Sequence, residues 1–142
     1  MAREFTRSGI RIYYPDEWKL EQEETDDGWS ASILSPDTAF LMLSHHSSVD
    51  DPSELSDMAL EAMRESYPEL EVEHTVETIA GQPAVGHNVD FITLDLSNTC
   101  WIRSLQGPEG CILMMGQCTD QELATNGKSI QTIYSSLTIA EH

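Results

Sequence analysis

Apolar and polar residues alternate along most of this chain, and a period of two dominates over 3.6. Ile10, Ile12 and Tyr14 alternate with Arg11 and Tyr13, and Pro15 ends that strand. Lys19 to Glu24 reads as a short exposed strand. Asp26-Asp27-Gly28 turns the chain into a return strand, Trp29 to Leu34. After Ser35-Pro36-Asp37, a more buried strand follows from Ala39 to His45.

The period then changes. Asp51 is a helix cap, Pro52 suits the first helical position, and Glu54 completes a capping box. Leu55, Met58, Ala59, Ala62 and Met63 recur at helical spacing, with Glu54, Asp57, Glu61 and Glu65 on the other side. Pro68 stops the helix. Beyond it, Leu70, Val72, His74 and Val76 alternate with Glu71, Glu73, Thr75 and Glu77, a half-buried strand with an acidic outer face. A turn at Gly81-Gln82-Pro83 leads to a strand over about 84–94, and another runs over about 96–105. Gly107-Pro108-Glu109-Gly110 closes a hairpin into Cys111 to Cys118. Asp120 opens a last helical region with Leu123, Ala124, Ile130, Ile133 and Tyr134, interrupted at Asn126-Gly127, and Ser136 to Ile139 is a packed tail. Blocks of strands with few crossover helices predict one α+β domain over residues 1–142, a mainly antiparallel sheet flanked by helices.

Charge changes the picture most. Seven basic against 25 acidic residues give a net charge of −18. The first 77 residues hold 19 of the acids and five of the bases, and so carry −14. Such a field repels phosphate backbones and anionic membrane surfaces, so neither nucleic acid nor a membrane is expected as partner. It attracts a basic protein surface, in a salt-sensitive way. The plainer reading is that acidity serves solubility alone. The longest apolar stretches, Ala39 to Leu43 and Cys111 to Met115, are far short of the roughly 20 residues that span a bilayer. Residues 1–8 lack the apolar core of a signal peptide, which points to the cytoplasm.

The opening of the chain, Gly9 to Tyr14 with Pro15 and Trp18, resembles the strand, Tyr-Pro, x-x-Trp opening of the PsbP-like superfamily. Ser53-Glu54-Leu55, Gly81-Gln82-Pro83-Ala84 and the closing Ile130, Ile133 and Leu137 resemble its later motifs, in order and spacing. Its members include the extrinsic PsbP subunit of photosystem II, the Ran-binding nuclear-import factor Mog, and many bacterial domains of about this length. The resemblance implies an antiparallel sheet between helices and no shared active site, since members mostly act as binding or assembly subunits. Some bacterial relatives act as chaperones that shield hydrophobic segments of secreted effectors.

The residues themselves offer little chemistry. Cys100, Cys111 and Cys118 sit in apolar surroundings and read as buried reduced thiols. A metal or redox site on Cys111 and Cys118, with His87, is opposed by their seven-residue gap, which puts them on opposite faces of a strand. His45 and His46 likewise point apart, and His74 on an apolar strand face reads as a core histidine. A thiol constellation of Cys100, His87 and Asp90 is conceivable, but no spacing enforces it. No catalytic, cofactor-binding or metal-ligating residue is therefore assigned.

Binding residues are easier to name. Met42, Met58, Met63, Met114 and Met115 suit either an adaptable groove or a core. Tyr13, Trp18, Trp29 and Trp101 are large, and some lie on strand faces expected to be wet. Trp101 faces opposite to Cys100 and Ile102. With Arg103 on the same exposed face it would anchor a partner; the alternative is a helix covering Trp101. The expected function is a non-enzymatic protein-binding or adaptor domain, with a basic or amphipathic partner. The alternatives are an acidic, dimeric secretion chaperone masking an apolar client segment, and a small-molecule or metal-binding enzyme.

Overall fold

A computed structural model of the protein describes residues 2–140. Seven strands form one antiparallel sheet: β3 (Lys19–Thr25), β4 (Gly28–Leu34), β5 (Phe40–His46), β6 (Glu71–Ile79), β7 (Gln82–Thr93), β8 (Leu96–Gly107) and β9 (Gly110–Thr119), in the order β3-β4-β5-β9-β8-β7-β6. β1 (Ala2–Arg7), β2 (Ile10–Pro15) and β10 (Thr138–Ile139) make a second, small sheet in the order β1-β2-β10. Helix α1 (Pro52–Ser66) carries the chain across one face from β5, in the middle of the sheet, to β6 at its edge. Helix α2 (Lys128–Ser135) and the small sheet cover the other face.

These are the α+β class and antiparallel sheet expected from the alternation. The Asp51 carboxylate accepts the Ser53 N–H at 2.9 Å, with Pro52 in the first turn as predicted. Two features differ. Residues 2–7 form β1 although only Phe5 among them is buried, because the pairing with β2 is made by backbone groups. The turn after β6 falls at Ala80-Gly81, one residue early, with Gln82 and Pro83 already in β7. Both turn residues have positive φ, +55° and +76°, as a tight two-residue hairpin of this hand requires.

The strand alternation sorts the core into two layers. Leu55, Ala59, Leu60 and Met63 of α1 pack with Val89, Phe91, Cys100, Ile102, Cys111 and Leu113. On the opposite face Ile33, Leu41, Leu43, Leu105, Ile112 and Met114 pack with Ile10, Ile12, Ile130, Ile133 and Tyr134. Gly116 lets α2 sit down on β9: a Cβ there would lie 2.5 Å from Ile130 Cγ2 and 2.9 Å from the Tyr134 hydroxyl.

Candidate functional site

α1 rests mainly on β7, β8 and β9. On that face, Phe40 and Met42 of β5 and Ser32 and Leu34 of β4 stay partly exposed. Register decides what they present. Phe40 lies opposite Gln117 and Met42 opposite Met115 on β9, while Leu34 and Ser32 of β4 lie opposite Phe40 and Met42. The helix wall adds Ala59, Ala62 and Met63, followed by Tyr67. The result is an open groove of about 360 Å³, floored by Phe40, Met42, Leu113 and Met115 and walled by α1. Unbranched methionine side chains adapt to differently shaped apolar partners.

The surroundings of the groove are acidic. Glu21 and Glu23 of edge strand β3 stand opposite Ser32 and Ser30 on the same face of the sheet, with Lys19 opposite Leu34 and 3.8 Å from Glu21. Glu61 and Glu65 are exposed on α1. Arg64 is the only base on that helix, and its Nε lies 3.5 Å from Glu61. An apolar floor under an acidic rim suits a segment that is apolar on one side and cationic on the other.

The methionines divide between the two readings given above. Met42, Met63 and Met115 line the groove, Met114 is core filler, and Met58 is exposed on α1.

The expected partner-binding residues are not brought together. Trp18 is 4% exposed and packs in the α2-side core. Its amide donates to Pro15 O at 3.0 Å, a turn that folds the ring inward. Trp101 is half-buried against the same core, near Gly127, and its carbonyl accepts the Tyr134 hydroxyl at 2.5 Å. Arg103 does share that face but is only 4% exposed. Its Nε donates to Glu77 Oε2 at 2.6 Å, Nη1 to Ile102 O at 2.8 Å and Nη2 to Asn88 Oδ1 at 2.8 Å. The exposed Trp101–Arg103 face anticipated from the sequence is thus corrected to a buried charge network under α2 and the turns before it. Tyr13 is 40% exposed, but it lines a separate hollow with Lys128 and Thr132, on the α2 side of the molecule.

The cysteine chemistry does not assemble either. Cys100 sits opposite Val89, and His87 opposite Ile102, on the α1 face. Asp90 points to the other face, where it accepts the Thr99 hydroxyl at 2.8 Å. Burial pushes the Cys100 thiol up to about 12 and the Cys118 thiol to about 11, far from the reactive thiolate range. Cys111 and Cys118 fall in opposite core layers, as their spacing predicts. His45 is buried and stacks on Trp29, its Nε2 donating to Pro108 O at 2.7 Å. His46 lies with Nε2 2.8 Å from Ser44 Oγ. Among the described residues no three His, Cys, Asp or Glu side chains converge on a point that would hold a metal ion. Among the described residues no helix is long and apolar enough to cross a membrane.

The methionines pointed to a groove, and Met42, Met63 and Met115 do line one, but its place depends on the β5–β9 register, which joins segments about seventy residues apart.

No protein-family model matches this chain, and no curated protein matches it in sequence. Solved structures do match in shape. LpqN, involved in cell envelope biogenesis of Mycobacterium tuberculosis, superposes with a TM-score of 0.62 at 16% identity, covering 99% of this chain and 91% of LpqN. A protein of unknown function from Pseudomonas aeruginosa does so with a TM-score of 0.60 at 12% identity, covering 99% of both chains. Cyanobacterial PsbP (CyanoP) from Synechocystis sp. PCC 6803 gives a TM-score of 0.61 at 9% identity, over 98% of this chain and 92% of that one. At such identities the likeness is one of fold. This chain has the PsbP-like fold.

Proposed function

We propose that this chain is a non-enzymatic protein-binding domain that takes an amphipathic segment of a partner in the groove beside α1. The observation that carries the reading is an apolar floor of Phe40, Met42, Leu113 and Met115 left open beside α1, with Glu21 and Glu23 of β3 farther out on the same face. The net charge of −18 supports it, since it steers a cationic partner inward and repels polyanions. The fold is compatible with it and does not name a partner.

A second reading is a dimeric chaperone that masks an apolar client segment. The composition of the groove favours it, because the lining is apolar apart from Ser66 and Gln117. Salt separates the two. Capture of partners from a lysate, with the substitutions Met42→Gln and Met115→Gln as the controls, tests both. A basic partner lost at raised salt supports the first reading, and a salt-resistant apolar client supports the second. Capture that is unchanged by both substitutions refutes the groove as the site.

A further inference from the structure

The hairpin turn at Ala80-Gly81 sets His74 of β6 directly opposite His87 of β7. Both rings lie on the α1 face, with centroids 4.6 Å apart and the two Nδ1 atoms 2.6 Å apart. His87 is buried, and its Nε2 donates to Asp57 Oδ1 of α1 at 3.2 Å. An imidazole that donates from Nε2 carries its lone pair on Nδ1 when neutral. His87 Nδ1 is therefore an acceptor, and the Nδ1–H of His74 fills it. His74 is exposed on the edge strand, and a hollow of about 410 Å³ opens beside the pair, lined also by Ser53, Ser56 and Asp57.

Metal-ligating histidines commonly donate their other ring N–H to a carboxylate, as His87 does to Asp57. We propose that His74 and His87 form a two-histidine site for a borderline divalent transition metal, Zn²⁺, Ni²⁺ or Cu²⁺. Asp57 fixes the tautomer and orientation of His87, and water completes the coordination. His74 moves its proton from Nδ1 to Nε2, so the ring stays neutral and both Nδ1 lone pairs face the ion. Two metal–nitrogen bonds of about 2.0–2.1 Å need the nitrogens about 2.9–3.4 Å apart, so the rings must part by less than about 1 Å and tilt so that both lone pairs converge on the ion. An exposed side chain on an edge strand can move that far. The charge of −14 on the first 77 residues raises the local concentration of cations. Ca²⁺ and Mg²⁺ are poor candidates, because they prefer oxygen ligands. With two protein ligands the affinity is modest, in the micromolar range. This inference is independent of the groove.

The test is calorimetric titration of Zn²⁺, and separately Ni²⁺, into the full chain, with excess Mg²⁺ present to occupy surface carboxylates. The expected result is one ion per chain. His74→Gln, an exposed change checked for folding by circular dichroism, weakens binding at least tenfold. Asp57→Asn weakens it about tenfold at unchanged stoichiometry. Zn²⁺ also raises the Tm of the wild-type chain and leaves that of folded His74→Gln unmoved. No uptake by the wild-type chain overturns the proposal, as does uptake that Mg²⁺ displaces or that persists undiminished in His74→Gln.

Discussion

Replacing Arg103 tests how far its role is internal. The guanidinium is 4% exposed and bonds to Glu77, Asn88 and the Ile102 carbonyl. Breaking a buried ion pair costs about 3–5 kcal/mol when the remaining charge stays buried. In Arg103→Ala the remaining charge is Glu77, whose side chain is 38% exposed and regains water. That relief lowers the expected loss to about 2–4 kcal/mol, much of it from the emptied volume and the stranded Asn88 amide. For a domain of this size the melting point falls by about 6–16 °C. Glu77→Ala strands the buried guanidinium instead, and the full 3–5 kcal/mol is expected, about the upper range for a broken pair. Arg103→Lys keeps the charge but loses the fork, and falls between Arg103→Ala and the wild type. Urea unfolding followed by circular dichroism measures all three, read as a change in midpoint at constant m. A loss below about 1 kcal/mol in Arg103→Ala, with the order of the other two reversed, would refute the reasoning. Arg103 would then be a solvated surface charge, free to serve as a contact for a partner.

Three further outcomes follow from the same packing. Gly116→Ala drives a methyl group against Ile130 and the Tyr134 hydroxyl, and should cost about 1–3 kcal/mol with faster hydrogen exchange in α2; unchanged exchange would contradict the close approach of α2 to β9. Glu122 accepts from the Thr38 amide and hydroxyl, Ala39 N, Thr119 and Asn126. Burial pushes its carboxyl up, but those hydrogen bonds outweigh it and leave the pKa below its ordinary 4.5. Its contribution is therefore complete above pH 4.5 and lost as pH falls through the lowered value, so Glu122→Gln should flatten that acid limb of a stability–pH curve. Burial also holds His46 and His87 below their ordinary 6.5, so the unfolded chain takes up protons first and stability should fall as pH drops below 6.5; a rise in Tm over that window would contradict their burial.

Local pattern carried the elements whose cause is local. Asp51-Pro52 starts α1, and the Glu71 to Glu77 alternation locates β6, although its sides are not sorted as expected: His74 and Val76 are exposed, and Glu77 pairs with the buried Arg103. β1 was hidden because Arg3, Glu4 and Arg7 break any apolar alternation, and its partner strand is what orders it. Arg103 reads as a surface charge between Ile102 and Ser104, since Glu77 and Asn88, which compensate its burial, lie 26 and 15 residues away. The histidine pair was lost to the placing of the turn. A loop at Gly81-Gln82-Pro83 pairs His74 with Asp90, whereas the Ala80-Gly81 turn pairs it with His87. The groove needs the β5–β9 pairing, and nothing within either strand specifies its partner.

The central claim is that a partner segment lies on the groove floor. The most direct measurement places a photo-activated crosslinking residue at Met42, and in a second variant at Tyr13 on the α2 side of the molecule. Both are exposed to lysate and analysed by mass spectrometry. The account predicts one stoichiometric protein crosslinked from Met42, through an amphipathic or apolar stretch, and none from Tyr13. Crosslinking from Tyr13 alone, or equal background at both positions, would contradict it.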